Sequence, residues 1–343
     1  MNEVQYLGTH NSYHIQPPAD FFALLSTFDL GLAQSLEYTH IPLQEQFDTQ
    51  GIRQIELDVF HDPDGGRYAN HPVRKLFEEL AASGIPALDE PGLKVLHVQD
   101  IDYETTCYTF VSCLQEIKTW SDAHPNHLPI TVLVEAKDDV IPDPLDLGFV
   151  VPLEFGVDAL NAIDDEIRSV FPPEQLIVPD DVRGNFMTLE LAVLTRGWPR
   201  LSEARGKVMF ALDNTSAVRD KYIDGHSSLQ GRMLFTDSPA GTPEAAFMKR
   251  NDPLANPGDI ESLVKQGYMV RTRADADTVQ ARSGDTTQRD AALNSGAQFI
   301  STDYPVPNPD FSDYQVRLPG DGIARCNPVS PGSCDPEFLD EAM

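Results

Sequence analysis

Residues 52–60 read Ile52-Arg53-Gln54-Ile55-Glu56-Leu57-Asp58-Val59-Phe60. In an extended chain Ile55, Leu57 and Val59 share one face and Glu56 and Asp58 share the other. An apolar face of that kind needs a covering layer, while two carboxylates on the opposite face need a polar mouth. Working outward, short β-branched runs recur at residues 5–10, 93–98, 130–136, 207–212, 233–236, 268–272 and 298–301. Between them lie helical patterns around residues 21–36, 72–82, 109–122, 157–170, 243–250, 259–265 and 286–294. Alternating strands and helices predict a parallel sheet with helical crossovers. Eight strands predict an α/β fold of the TIM-like (β/α)8 type, made irregular by long rim loops.

Two connections exceed a minimal barrel. Residues 62–92 and 138–205 both follow strands that end in polar residues, so they are expected to build the rim of the reactive face. The proline-rich stretch from Pro305 carries Cys326 and Cys334 and is expected to wrap the outside as a stapled extension. The expected division is therefore a barrel over residues 1–305 and an extension over residues 306–343.

The 343 residues carry 25 basic and 54 acidic side chains, a formal charge of −29. No basic stripe offsets this, which excludes nucleic acid as an expected partner and disfavours electrostatic docking on an anionic membrane. No run of 18 apolar residues predicts a transmembrane helix, and the first residues do not read as a signal peptide. Four cysteines allow three pairings. The local ones, Cys107 with Cys113 and Cys326 with Cys334, close the shortest loops. Paired cysteines imply an oxidising, extracellular setting for a processed chain; the alternative is four reduced thiols in a cytosolic protein. A monomer is expected.

In a parallel barrel, chemistry gathers at the carboxyl ends of the strands. The first strand runs into His10 and Asn11, the second carries Glu56 and Asp58, the third ends near His97, and the fourth holds Glu135 and Lys137. Clustered carboxylates resist joint ionisation unless a cation neutralises them. Oxygen donors favour calcium, with magnesium behind it, over zinc. Asn11 would add a neutral oxygen. His10 and His97 are an acid–base pair by residue type, since imidazole titrates near neutrality. His14, His61 and His71 read as rim residues. Lys137, Arg271 and Arg273 could contact a phosphate or form structural ion pairs. Asp213 and Asp303, just past strand ends, could orient a histidine or bond a sugar hydroxyl.

The string Gly8-Thr9-His10-Asn11-Ser12-Tyr13, the Glu56-x-Asp58 strand, His97 and Glu135 resemble the X region of phosphatidylinositol-specific phospholipases C. Residues 95–103, 271–275 and 299–305 are similar to the calcium-dependent, secreted microbial subgroup. The resemblance implies His10 as general base, His97 as general acid, and calcium held by Asn11, Glu56, Asp58 and Glu135. It also implies a phosphoinositide substrate cleaved to diacylglycerol and a cyclic inositol phosphate. The gap between Asp58 and His97 is longer than in most relatives, which keeps His61 and His71 open as alternatives to His97. Transient membrane contact would fall to apolar rim residues such as Phe149, Val150 and Val151. Two rival readings remain: a glycerophosphodiester phosphodiesterase, whose first strand reads His-Arg-Gly, and a catalytically silent barrel that binds calcium or carbohydrate.

Overall fold

The computed structural model describes residues 1–255, 257–320 and 322–341. Eleven strands occur among them: β1 (Val4–Thr9), β2 (Gln54–Phe60), β3 (Lys94–Val95), β4 (Ile130–Ala136), β5 (Leu176–Ile177), β6 (Val208–Leu212), β7 (Leu234–Thr236), β8 (Phe247–Lys249), β9 (Met269–Arg273), β10 (Phe299–Thr302) and β11 (Ala324–Cys326). The parallel pairs run β7–β6–β4–β2–β1–β10–β9–β8. A parallel bridge between Asp237 and Phe247 joins the two ends. The result is an irregular TIM-like barrel, as the alternating sequence pattern predicts.

The centre of the wall is its most regular part. β2 and β4 pair in register from Gln54↔Thr131 to Val59↔Ala136. Ile55, Leu57, Val59, Ile130, Val132 and Val134 are fully buried, the near-continuous apolar run of strands covered on both faces. One covering helix, Phe110–Ala123, starts in a capping box, with Ser112 N donating to Thr109 Oγ1 and Thr109 N donating to Ser112 Oγ. It buries Phe110, Leu114, Ile117 and Trp120. Another, Val157–Val170, buries Ala159, Leu160, Ile163 and Ile167 at helical spacing.

Two expectations change places. Residues 93–98 do not form a barrel strand; only Lys94 and Val95 are extended, and they run antiparallel to the end of β2. Lys94 is fully buried there, its Nζ 3.1 Å from Asp62 Oδ2 and donating to Gly92 O at 2.9 Å. Asp100, at φ +66, then reverses the chain, and Val98 bridges back to Asp102. The missing barrel strand is β8, inside the stretch expected to be helical. Ala245, Ala246, Phe247 and Met248 are all fully buried, so the segment has no period to betray it. Ala and Met are also good helix formers. The expected helix over residues 21–36 is broken at Asp29, which turns out of the helix and accepts Leu32 N at 2.9 Å to start a second one. The expected helix at residues 72–82 is a 3₁₀ segment ending at left-handed Glu78.

The C-terminal stretch closes the base. β1 pairs with β2 only at Gly8↔Gln54, and its first half pairs antiparallel with β11 instead. Both local disulfides, Cys107–Cys113 and Cys326–Cys334, are formed. Glu341 reaches the buried Arg53 and also accepts Leu128 N at 2.6 Å. The Arg53 guanidinium lies 4.8 Å over the Trp120 ring. Arg53→Ala is therefore expected to lower unfolding free energy by about 3 kcal/mol, since it leaves a half-buried carboxylate without its cation. Denaturant titration checks this, and a loss near zero would show that the tail does not secure the base.

Candidate active site

The segment after β1 is held against β2 by main-chain and hydroxyl bonds. Ser12 N donates to Glu56 O and Glu56 N donates to Ser12 Oγ, each at 2.9 Å. Thr9 Oγ1 bonds Ser12 Oγ at 2.7 Å and Gln46 Oε1 at 2.8 Å. Gly8 leaves room for Gln54, whose Oε1 would lie 2.1 Å from any Cβ at that position. Asn11 turns the chain at φ +42, a conformation asparagine tolerates better than most residues. These bonds tie His10 and Asn11 to the strand that carries Glu56 and Asp58.

Register does the rest. Thr9 pairs with Thr302, so Asp303 stands level with His10. Asp58 pairs with Glu135, and Leu212 pairs with Val134, which brings Asp213 to the height of Glu135. Ser301 pairs with Arg273. Register thereby gathers His10, Glu56, Asp58, Glu135, Asp213, Arg271, Arg273 and Asp303 at one end of the barrel.

His10 Nδ1 bonds Asp303 Oδ1 at 2.9 Å, while its Nε2 lies 3.3 Å from an Arg273 nitrogen and 3.9 Å from Glu56 Oε1. Burial, helped by the charge of Arg273 and opposed by Asp303, pulls the His10 pKa down to about 3. Its ring is therefore neutral at pH 7, with a proton on Nδ1 facing Asp303 and an Nε2 lone pair that accepts from Arg273 at 3.3 Å. Asp303 also accepts from Arg273 at 3.0 Å. Although burial opposes its charge, His10 and Arg273 keep it well below the usual carboxylate range.

His97 is the other ring with a carboxylate at Nδ1, bonding Asp102 Oδ2 at 2.6 Å. Burial lowers its pKa and Asp102 offsets part of that. His71 is buried flat against Tyr103 at 3.5 Å, and His61 lies against Phe155. Neither joins the cluster. His14, expected at the rim, is instead fully buried and donates to the same Asp102 oxygen at 2.8 Å. Against the cost of burial, the two imidazoles hold the Asp102 carboxyl down to about 2.

Between these histidines lies an acidic oxygen cluster. Glu56, Glu135 and Asp213 offer oxygens within 4.8 Å of one another. Asp213, expected among the substrate contacts, thus groups with the carboxylates. Burial, with Asp213 and Glu135 adding to it against Arg271, raises the Glu56 carboxyl to about 7. Burial raises Asp58 well above the carboxylate range too. Both Asp58 oxygens and Asn11 Oδ1 are buried without a hydrogen bond; Lys137 Nζ stands 3.5 Å from Asp58 and 3.5 Å from Glu135. Orphaned buried oxygens beside raised carboxyls are the surroundings a hard divalent cation fits.

The cationic side chains differ in reach. Arg271 is 1% exposed, with the two terminal nitrogens of its guanidinium on Glu56, Asn251 Oδ1 and, at 3.1 Å, Ser301 Oγ. Arg273 and Lys137 keep 13% and 21% of their side chains open. Lys249, at the end of β8, pairs with Asp213. Sequence reasoning missed it because its segment reads as helix. Asp102 and Tyr38 were also missed; Tyr38 accepts from Asn11 Nδ2 at 3.1 Å and stacks on His14 at 4.2 Å. The one available signal for Asp102 was its place five residues past His97 on a turn.

An apolar groove of about 370 Å³ adjoins this face, lined by Phe21, Phe28, Leu32, Leu76, Ile101 and Phe149 among others. Among the described residues no helix is long and apolar enough to cross a membrane.

The fold and the polar mouth define a metal-dependent phosphodiesterase class of barrel. The chain belongs to the family described as phosphoinositide phospholipase C, Ca2+-dependent, which it matches over residues 1–328. It is thus a phosphatidylinositol-specific phospholipase C-like phosphodiesterase, and membership brings a calcium requirement. Similar solved structures include a calcium-dependent phosphoinositol-specific phospholipase C from Pseudomonas sp., at 16% identity and TM-score 0.55 over 95% of this chain and 94% of that one. The same Pseudomonas enzyme with myo-inositol matches at 15% identity and TM-score 0.55, over 95% and 94%. A Ca2+-dependent phosphatidylinositol-specific phospholipase C from Streptomyces antibioticus matches at 17% and TM-score 0.53, over 89% and 94%. No curated protein sequence matches.

Calcium is expected to raise the melting temperature of the chelated protein. Asp58→Asn is expected to melt higher than wild type in chelator, because a buried carboxyl with no hydrogen bond and only a shared, 3.5 Å contact to Lys137 is gone, and to respond less to calcium. A calcium-induced rise equal to that of wild type would remove Asp58 from the cation's surroundings.

Proposed function

We propose that the enzyme cleaves phosphatidylinositol to diacylglycerol and a cyclic inositol phosphate by paired imidazole acid–base catalysis. The observation that carries this reading is that His10 and His97 each bind a buried carboxylate through Nδ1. Each ring therefore presents its opposite nitrogen to substrate. His10, neutral and oriented by Asp303, takes the proton of the inositol 2-hydroxyl as that oxygen attacks the adjacent phosphorus. His97 gives a proton to the diacylglycerol oxygen as its bond to phosphorus breaks. Water can later open the cyclic product with the two roles exchanged.

Asn11, Glu56, Asp58 and Glu135 would hold calcium, with Asp213 beside them. Bound there, calcium would acidify the attacking hydroxyl and offset charge on the phosphoryl oxygens. Arg273 and Lys137, partly open, are suited to contact phosphate or inositol. Arg271, sealed in the wall, is suited to fix Glu56. Asp303 orients His10.

Lipid contact fits the apolar groove, where Phe28 and Leu76 are 58% and 41% exposed. A charge of −29 leaves apolar insertion as the means of holding a bilayer. Two formed disulfides support an extracellular setting. Residues 306–343 are read as an extension of the barrel of residues 1–305, and the molecule as a monomer.

With phosphatidylinositol vesicles, cyclic inositol phosphate is expected only when calcium is present. His10→Ala should lower turnover by about 10²–10⁴-fold; glycerol 3-phosphate as product, or full activity in excess chelator, would sink the reading. The pH profile supplies a second check. The acid must carry its proton, and burial holds the His97 pKa below the ordinary value of about 6.5. Activity, measured as kcat/KM at saturating calcium, should already be falling as pH rises through 6.5. A profile that climbs from pH 6 to 8 would contradict His97 as the acid.

A further inference from the structure

Asp102 is 1% exposed and accepts two imidazole protons on one oxygen, from His97 Nδ1 at 2.6 Å and from His14 Nε2 at 2.8 Å. Its other oxygen, Oδ1, is buried without a hydrogen bond. A carboxylate with one satisfied and one empty oxygen has a rotation available to it, and the satisfied oxygen must be pinned for His97 to keep its orientation. His14 is the pin. Its ring is fully buried, stacks on Tyr38 at 4.2 Å and meets the His97 ring edge-on at 5.4 Å. Its Nδ1 is buried with no partner, so a hydrogen there would have no acceptor. The hydrogen therefore belongs on Nε2, facing Asp102.

We propose that His14 is a positioning residue for the reaction, clamping Asp102 so that His97 stays aimed at the leaving oxygen. The inference rests on the reading of His97 as the acid, and it gives a role to a fully buried histidine. The three groups are also spaced to surround a metal ion. Contacts of 2.6 and 2.8 Å are those of hydrogen bonds already made, which commits the facing atoms to protons.

The test compares two substrates at saturating calcium: phosphatidylinositol, whose alkoxide must be protonated to leave, and inositol 1-(4-nitrophenyl phosphate), whose aryl oxide leaves without help. His14→Phe keeps a ring against Tyr38 and removes the donor. It is expected to lower kcat on phosphatidylinositol about 10- to 100-fold, part of the roughly 10²–10⁴-fold that a positioned acid supplies. KM should hold, and the aryl substrate should change by less than about threefold on the same scale. His14→Gln, which can still donate to Asp102, should recover most of the loss. An equal fall on both substrates, or none on either, overturns the proposal. His97→Gln is the control: if it too slows both substrates equally, the acid role itself fails and this inference falls with it. Should His14→Phe not fold, nitrogen-15 NMR of the wild-type enzyme decides. His14 protonated on Nε2 and His97 on Nδ1 support the clamp, and His14 protonated on Nδ1 overturns it.

Discussion

Burying negative charge at the mouth of the barrel is the constraint from which the site follows. Glu56, Asp58, Asp102, Asp275 and Asp303 are all nearly or fully buried within one end of the fold, where an unpaired carboxylate is prohibitively costly. Most are answered individually. Arg271 sits on Glu56, Lys249 on Asp213, Arg273 and His10 on Asp303, and two imidazoles on Asp102. Asp275 takes a hydroxyl from Thr302 and the main-chain N of Asp303, and burial, with Asp303 next, raises its carboxyl to about 7. Asp58 and Glu135 have to share one cation, Lys137, at 3.5 Å from each, and the Asn11 Oδ1 beside them has no hydrogen bond. This local surplus of oxygens is where the calcium required by the family would fit.

The two histidines differ through their surroundings rather than through their chemistry. His10 shares its carboxylate with a guanidinium, so the positive charge of Arg273 competes with a proton on the ring. That favours a neutral imidazole able to accept. His97 shares its carboxylate with another imidazole, which leaves Asp102 a stronger partner for a proton on His97. The proposed division into a base and an acid rests on which cation each aspartate is paired with. The same logic explains the sealed Arg271, which fixes a carboxylate without reaching the cleft.

Much of the fold was legible because strand periodicity is local. The alternation of residues 54–60 and the apolar run of residues 130–136 predict β2 and β4, and both sit in the wall. The exchange between residues 93–98 and β8 shows where that logic ends. Residues 93–98 have strand-like composition, but burying Lys94 against Asp62 and the reversal at Asp100 turn them away from the wall. Residues 247–249 have helix-like composition, yet the neighbouring edges of β7 and β9 recruit them. Propensity yields to pairing partners that lie far off in sequence.

For the site, residue types and strand-end positions by themselves determined the chemistry on offer: two imidazoles, a set of oxygen donors and a phosphate-sized complement of cations. His10, Asn11, Glu56, Asp58, His97 and Glu135 could be chosen from spacing and resemblance, because a short strand fixes which side chains share a face. Only the tertiary structure decided the partners. It brought Asp303 level with His10, grouped Asp213 with the carboxylates, sealed Arg271, and drew His14 from an expected rim into a fully buried bond with Asp102. Faces are set by two dihedral angles per residue and can be read locally. Partners are set by the register of strands hundreds of residues apart, which no local pattern encodes.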